Sequence, residues 1–254
     1  MDRLTADLAR RRIADAVTAR TRPPLHVATV NVDFLAIADR DPEFRAVLNG
    51  CGLTLVDGMP VVWLTRILGR PVPERVTGAD LTAWLIDGGL GGVRLFLLGA
   101  TEDVLRSTTA RAEAHGVTIA GTSSPSRPAV TGANGQEAGG PAALVDEINR
   151  SRADILLVAL GAPLQELFIA RHLERLDVGV AIGVGGSLDF LAGRQARAPE
   201  AFRRLGLEWL YRLIREPGRL WRRYLARDAP YLLRQSIGIA AERFRGRRAP
   251  AERR

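Results

Sequence analysis

Six short runs of Val, Ile and Leu, separated mostly by segments of helix length, constrain this chain more than any other feature. They are LHVATV from Leu25, LTLV from Leu53, VRLFLLGA from Val93, VTIAG from Val117, DILLVAL from Asp154 and VGVAIGVG from Val178. A strand with one wet face alternates apolar and polar residues, and these runs are too continuous for that. Strands buried on both faces and spaced by helices predict an α/β fold, a Rossmann-like, mainly parallel sheet flanked by helices. A chain of 254 residues accommodates one such domain and an appendage. The Gly-, Ser- and Pro-rich stretch from Gly121 to Pro141 reads as a flexible surface loop.

After Pro199 no strand-like run recurs, and the remainder reads as helices broken at Pro217 and Pro230. The predicted division is therefore 1–198 for the α/β body and 199–254 for a helical appendage. Charge follows the same division. All 36 basic residues are arginine, which excludes lysine-dependent chemistry such as Schiff bases and a Walker P-loop. From Arg194 onward 17 arginines face 6 acidic residues, whereas the chain as a whole nets +8. A basic tail on a nearly neutral body suits a polyanionic neighbour: a membrane surface, a nucleic acid or a phosphorylated ligand. Leu207, Leu210, Tyr211 and Ile214 recur at helical spacing, as do Trp221, Tyr224 and Leu225, with arginines interleaved. Such a stripe lies in a lipid interface or docks on the body as core, and periodicity alone allows either. The first twenty residues form a polar amphipathic pattern without a signal core. No run approaches the ~18 apolar residues of a membrane span, so the expectation is a cytoplasmic protein that meets membrane only at its surface.

The ends of the predicted strands carry the candidate chemistry, because open α/β sheets bind ligands at their carboxyl edge. Thr29 and Asn31 end the first strand. Asp57 ends the second and suits either a general base or a helix N-cap. Gln165 and Glu166, in GAPLQE, follow the fifth. Gly183-Val184-Gly185-Gly186 follows the sixth, where glycine serves either close approach of a diphosphate or tight packing. The third glycine of a dinucleotide fingerprint would fall at Leu188, which disfavours NAD. Asp39-Arg40-Asp41 matches a D-x-D metal pattern, but Asp41-Pro42-Glu43 is a helix start, and capping is the preferred reading. His26, His115 and His172 lack ligand spacing, so no metal site is expected. Cys51 is the lone cysteine and is expected to pack as a small apolar residue.

In order, TVN at Thr29, DGMPVVW at Asp57, ERVTGADL at Glu74, FLLGA at Phe96, GAPLQE at Gly161, GVGGSLDFLAG at Gly183, RAPE at Arg197 and GLEWLYRLIREPGRLWRRYL at Gly206 resemble the signatures of the WecG/TagA/CpsF family of bacterial glycosyltransferases. Leu164 stands where that family usually has lysine. The resemblance implies an inverting, metal-independent transferase without a cofactor. It would move an N-acetylmannosamine-type sugar from a UDP-sugar to an undecaprenyl-diphosphate-linked N-acetylglucosamine, for teichoic acid, common antigen, capsule or exopolysaccharide. Asp57 would be the base with Thr29 as its catalytic neighbour. Asn31, Arg75, Gln165 and Glu166 would line the pocket, Gly185, Gly186 and Asp189 would meet the nucleotide, and Arg212, Arg219 and Arg222 would come from the appendage. The implied partners are the UDP-sugar, the lipid-diphosphate acceptor and the anionic inner face of the plasma membrane. Nucleic acid is not among them, and the oligomeric state is left open to a homo-oligomer.

Inversion requires a carboxylate to take the acceptor proton, and departing UDP requires positive potential that arginines and helix-terminal amides supply. Two rivals share the basic tail. A nucleic-acid module leaves the carboxylate and glycine motifs unused, and a catalytically silent membrane scaffold has no need of Asp57.

Overall fold

A computed structural model describes residues 1–132, 140–195, 198–199, 202, 207–215, 217–221 and 228–235, leaving aside the side chains of Arg212, Arg219 and Leu220. The six apolar runs are the six strands: β1 (Leu25–Val30), β2 (Leu53–Val56), β3 (Arg94–Gly99), β4 (Thr118–Ser123), β5 (Ile155–Ala159) and β6 (Val180–Gly183). All pair in parallel in the order β2-β1-β6-β5-β3-β4.

The helices are α1 (Ala6–Ala19), α2 (Val32–Arg40), α3 (Pro42–Gly50), α4 (Met59–Ile67), α5 (Gly78–Ile86), α6 (Glu102–Ala114), α7 (Arg127–Thr131), α8 (Pro141–Ser151), α9 (Leu164–His172), α10 (Ser187–Leu191), α11 (Glu208–Arg215) and α12 (Pro217–Trp221). Side chains alternate across each strand, so one face of the sheet carries Val27, Leu55, Leu97, Leu157 and Ile182 against α1, α5, α6 and α10. The opposite face carries Ala28, Val30, Leu98, Val158 and Ala181 against α2, α3, α8 and α9. Both layers exclude water, which is why the strands could be written without polar alternation.

Of the stretch Gly121 to Pro141, expected as a loop, residues 121–132 hold regular structure, and 133–139 lie outside the described residues. β4 runs through Gly121 to Ser123, and Ser126 caps the short α7 through its hydroxyl and the Ala129 amide. Small polar residues made the segment look like loop, but an edge strand with half-exposed side chains tolerates them. Asp41 caps α3 by accepting the Phe44 amide at 3.1 Å, and Asp39 pairs with Arg234, so each half of the D-x-D pattern already has a structural partner.

Part of the appendage docks on the body. Tyr231 and Leu232, in the helical turns at 229–235, pack against Val32, Val56, Val61 and Val62. Within α11, Tyr211 meets the Phe202 ring at 5.6 Å and lies under the Arg215 guanidinium, while Ile214 stays two-thirds exposed. Body docking thus falls on Tyr231 and Leu232, outside the predicted stripe, whereas within the stripe Tyr211 meets a ring of the appendage itself and Ile214 and Trp221 are exposed. Tyr224, Leu225 and Arg222 lie outside the described residues, as do the side chains of Arg212 and Arg219.

Candidate active site

The sheet order makes the boundary of β1 and β6 a place where a ligand fits. β1 and β6 are neighbours, yet the chain leaves β1 into α2 on one face and leaves β6 into α10 on the other. Their carboxyl ends therefore part around a crevice. Register places Val30 beside Val56, so Asn31 and Asp57 emerge side by side, and Ala28 beside Gly183 brings the glycine loop next to Thr29.

Asp57 does not cap α4, whose N-cap is Gly58 without a side-chain bond. Its Oδ2 instead accepts the Gly78 amide at 3.0 Å, the first amide of α5, where the helix dipole favours a carboxylate. Thr77 caps that helix through the Asp80 amide, and its hydroxyl donates back to the Asp80 carboxylate at 2.6 Å. A Cβ on Gly78 would lie 2.9 Å from Thr29 Oγ1 and 3.5 Å from Asp57 Oδ2. Glycine is thus what lets α5 approach both residues. Thr29 is buried, with its hydroxyl 3.5 Å from the Gly183 carbonyl. Asn31 caps α2 by accepting the Phe34 amide at 3.3 Å. One strand end, one loop and one helix start therefore hold Thr29, Asn31 and Asp57 together.

The second cluster comes from β5 and β6. Gln165 Oε1 accepts the amides of Gly161 at 3.1 Å and Gly185 at 3.0 Å, stapling one strand-end loop to the other. Gly185 has φ +51°, a left-handed backbone that glycine adopts readily, and its amide is spent on Gln165. Gln165 Nε2 donates to Glu166 Oε1 at 2.6 Å, which fixes the amide's orientation. Glu166 is fully buried behind it, and burial pushes its carboxyl up to about 8 despite the bond from Gln165. Its Oε2 has no hydrogen-bond partner among the described residues.

Near Glu166 lie two further titratable side chains held neutral at pH 7. Burial pushes the Cys51 thiol up to about 12, with the Glu166 charge adding to the effect, and pushes His26 down to about 4. Cys51 Sγ is 3.5 Å from His26 Nδ1, but a thiol shifted upward is no nucleophile; Cys51 packs against the apolar side chains of β1, α2 and α3.

Gly183 shows how tightly this layer is filled. A Cβ there would come within 2.2 Å of Glu166 Oε1 and 2.5 Å of Gln165 Nε2. Gly183→Ala is expected to destabilise the fold by ~1–3 kcal/mol, the usual cost of overpacking. A denaturation midpoint equal to that of the wild type would show that the Gln165–Glu166 pair yields without cost.

Asp189 sits half-buried beside Gly186, and its carbonyl accepts the Arg194 and Gln195 amides. Arg75 Nη1 pairs with Glu208 Oε2 at 3.3 Å, both largely shielded from solvent. Glu208 and Gly78 are contributors that lie inside the motifs GLEWLYRLIREPGRLWRRYL and ERVTGADL but are not picked out there as site residues. An acid inside an arginine-rich appendage was the available signal for the first, and the T-x-x-D pattern of a helix start at Thr77 was the signal for the second.

Residues 1–249 match the family described as Glycosyl transferase WecG/TagA/CpsF. An N-acetylglucosaminyldiphosphoundecaprenol N-acetyl-beta-D-mannosaminyltransferase of Bacillus spizizenii is 34% identical over 203 residues, 79% of this chain and 74% of that one. The protein of the same description from Bacillus subtilis is 33% identical over 203 residues, 79% of this chain and 75% of its own. Among solved structures, unliganded arylmalonate decarboxylase is similar at a TM-score of 0.26 and 16% identity, over 78% of this chain and 81% of that one, too low to bear on the reading. With a parallel sheet that brings these motifs to its carboxyl edge and the family match over nearly the whole length, the chain belongs to the WecG/TagA/CpsF family of glycosyltransferases.

Proposed function

We propose that this glycosyltransferase moves an N-acetylmannosamine-type sugar from UDP to an undecaprenyl-diphosphate-linked N-acetylglucosamine, with inversion and without a metal, at the inner face of the plasma membrane. The relatives' described activity supports the acceptor and the sugar class. The observation that carries the mechanism is the Asp57 carboxylate, fixed by the Gly78 amide at the carboxyl edge beside Thr29. As the acceptor hydroxyl attacks the anomeric carbon, Asp57 takes its proton and the bond to the UDP oxygen breaks on the opposite side. Thr29 and Asn31 line the approach to Asp57. Gln165 holds the Gly185-Gly186 loop that faces the diphosphate, with Asp189 at its rim.

Charge leaving with UDP requires cations, and the appendage supplies them in this reading through Arg212, Arg219 and Arg222. The Arg75–Glu208 pair supports such a role, because it ties α11 to the segment that leads into α5. The body of 1–198 would carry the donor site, and 199–254 would close it and meet lipid. A metal-free mechanism is supported by the engagement of Asp39 and Asp41 in an ion pair and a helix cap.

The test is a panel of UDP-sugars offered with a lipid-diphosphate N-acetylglucosamine acceptor, with and without chelator. UDP-N-acetylmannosamine is expected to be turned over best, at a rate the chelator leaves unchanged. Activity that appears only with manganese or magnesium, or no transfer from that donor, overturns the corresponding part of the reading.

A further inference from the structure

Helix α4 turns an unusual face to solvent. Its inner side buries Val61, Val62 and Leu64. Outside, Trp63 is 43% exposed and Ile67 37%, and Leu68 in the turn that ends the helix is 55% exposed. Arg66 and Arg70 stand among them, exposed and without an ion pair to any described residue. Residues 58–73 hold two arginines and no acidic residue at all. The same helix begins two residues after Asp57, and the segment at 229–235, which leaves Leu233 64% exposed, packs against its buried side chains.

We infer that the outer face of α4, formed by Trp63, Arg66, Ile67, Leu68 and Arg70, is a lipid-docking surface of the α/β body itself. The inference rests on the proposed membrane-linked acceptor and adds a contact that the arginine-rich appendage does not provide. Three observations select a lipid surface over other occupants. Indole and aliphatic side chains interleaved with guanidinium groups match an interface that is apolar below and anionic at phosphate depth. A second copy of the same patch in a two-fold contact would gather four arginines in one interface with no acid of residues 58–73 to pair with them. The position also suits the chemistry: an acceptor whose hydrocarbon chain stays in the bilayer can be reached only if the carboxyl edge at Asp57 is held close to lipid.

The experiment uses the full chain and sedimentation with vesicles of phosphatidylcholine alone or mixed with phosphatidylglycerol. Trp63→Gln/Ile67→Gln/Leu68→Gln is expected to lower partitioning onto both vesicle types about tenfold or more, as loss of buried apolar area requires. Arg66→Gln/Arg70→Gln is expected to lower it only on the anionic vesicles, by about fivefold per arginine at low salt and less at high salt. Turnover on a soluble acceptor analogue should stay at the wild-type level in both. Wild-type binding with unchanged partitioning of both variants overturns the α4 surface and leaves membrane association to the appendage. A wild-type chain that binds neither vesicle overturns the membrane reading together with this inference. A triple variant that loses turnover on the soluble analogue, or changes its mass in solution, overturns it in favour of a folding or self-association surface.

Discussion

Asp57→Asn is expected to fold normally, to bind UDP with wild-type affinity and to lose roughly 10²-fold to 10⁴-fold in turnover, the usual contribution of a positioned general base. The substitution isolates the proton-accepting role because of the way the residue is held. Its Oδ2 accepts the Gly78 amide, and an asparagine carbonyl oxygen can accept the same bond, so the start of α5 keeps its partner. The basicity of the group is removed together with its negative charge, while the bond to Gly78 is kept. Full turnover by the variant sinks the assignment of Asp57, whereas a loss of nucleotide affinity of similar size would make it a binding residue. Measuring kcat and UDP affinity separately decides between them.

The second large effect concerns stability. Glu166 is pushed up to about 8 from an ordinary value of 4.5, so it stays protonated in the folded protein over a range in which the unfolded chain releases its proton. Below pH 4.5 both states hold the proton and burial costs nothing extra in charge. Between 4.5 and 8 the unfolded state binds fewer protons, so this group withdraws ~1.4 kcal/mol of stability per pH unit, and above 8 the loss levels off. Glu166→Gln keeps an acceptor for Gln165 Nε2 and cannot ionise. Its stability should match the wild type near pH 4.5 and exceed it by several kcal/mol at pH 8, in urea titrations run across that range. His26, pushed down to about 4, acts in the opposite sense between 4 and 6.5, but it is present in both proteins and cancels from the difference. Parallel curves for the two proteins would mean that Glu166 ionises inside the fold without cost.

The strands were legible because burial on both faces leaves a continuous apolar signature, and all six runs became strands. Their order was not, since an apolar run says nothing of its neighbour; nothing in VGVAIGVG announces that β6 pairs with β1. Asp57 was legible as the end of a strand, while its bond to Gly78, 21 residues further on, depended on where α5 would land. The same holds for Arg75 and Glu208, 133 residues apart, whose pairing exists only because the appendage returns to the body. Gln165 and Glu166 stood together in sequence at the right edge. That the first joins two loops and the second lies fully buried follows from Gly183, whose missing side chain makes room for both.

Among the described residues strand β6 is the last in sequence but lies in the middle of the sheet, the strand that pairs the β2-β1 side with the trio β5-β3-β4. The hydrogen-bonded ladder between those two pieces therefore depends on residues 180–183, which come after both in sequence. Thr29, Asn31 and Asp57 belong to the first piece, and Gln165 and Glu166 follow the second. Any partly folded form that lacks β6 therefore leaves the edges of β1 and β5 unpaired and Thr29 without the Gly183 carbonyl beside it.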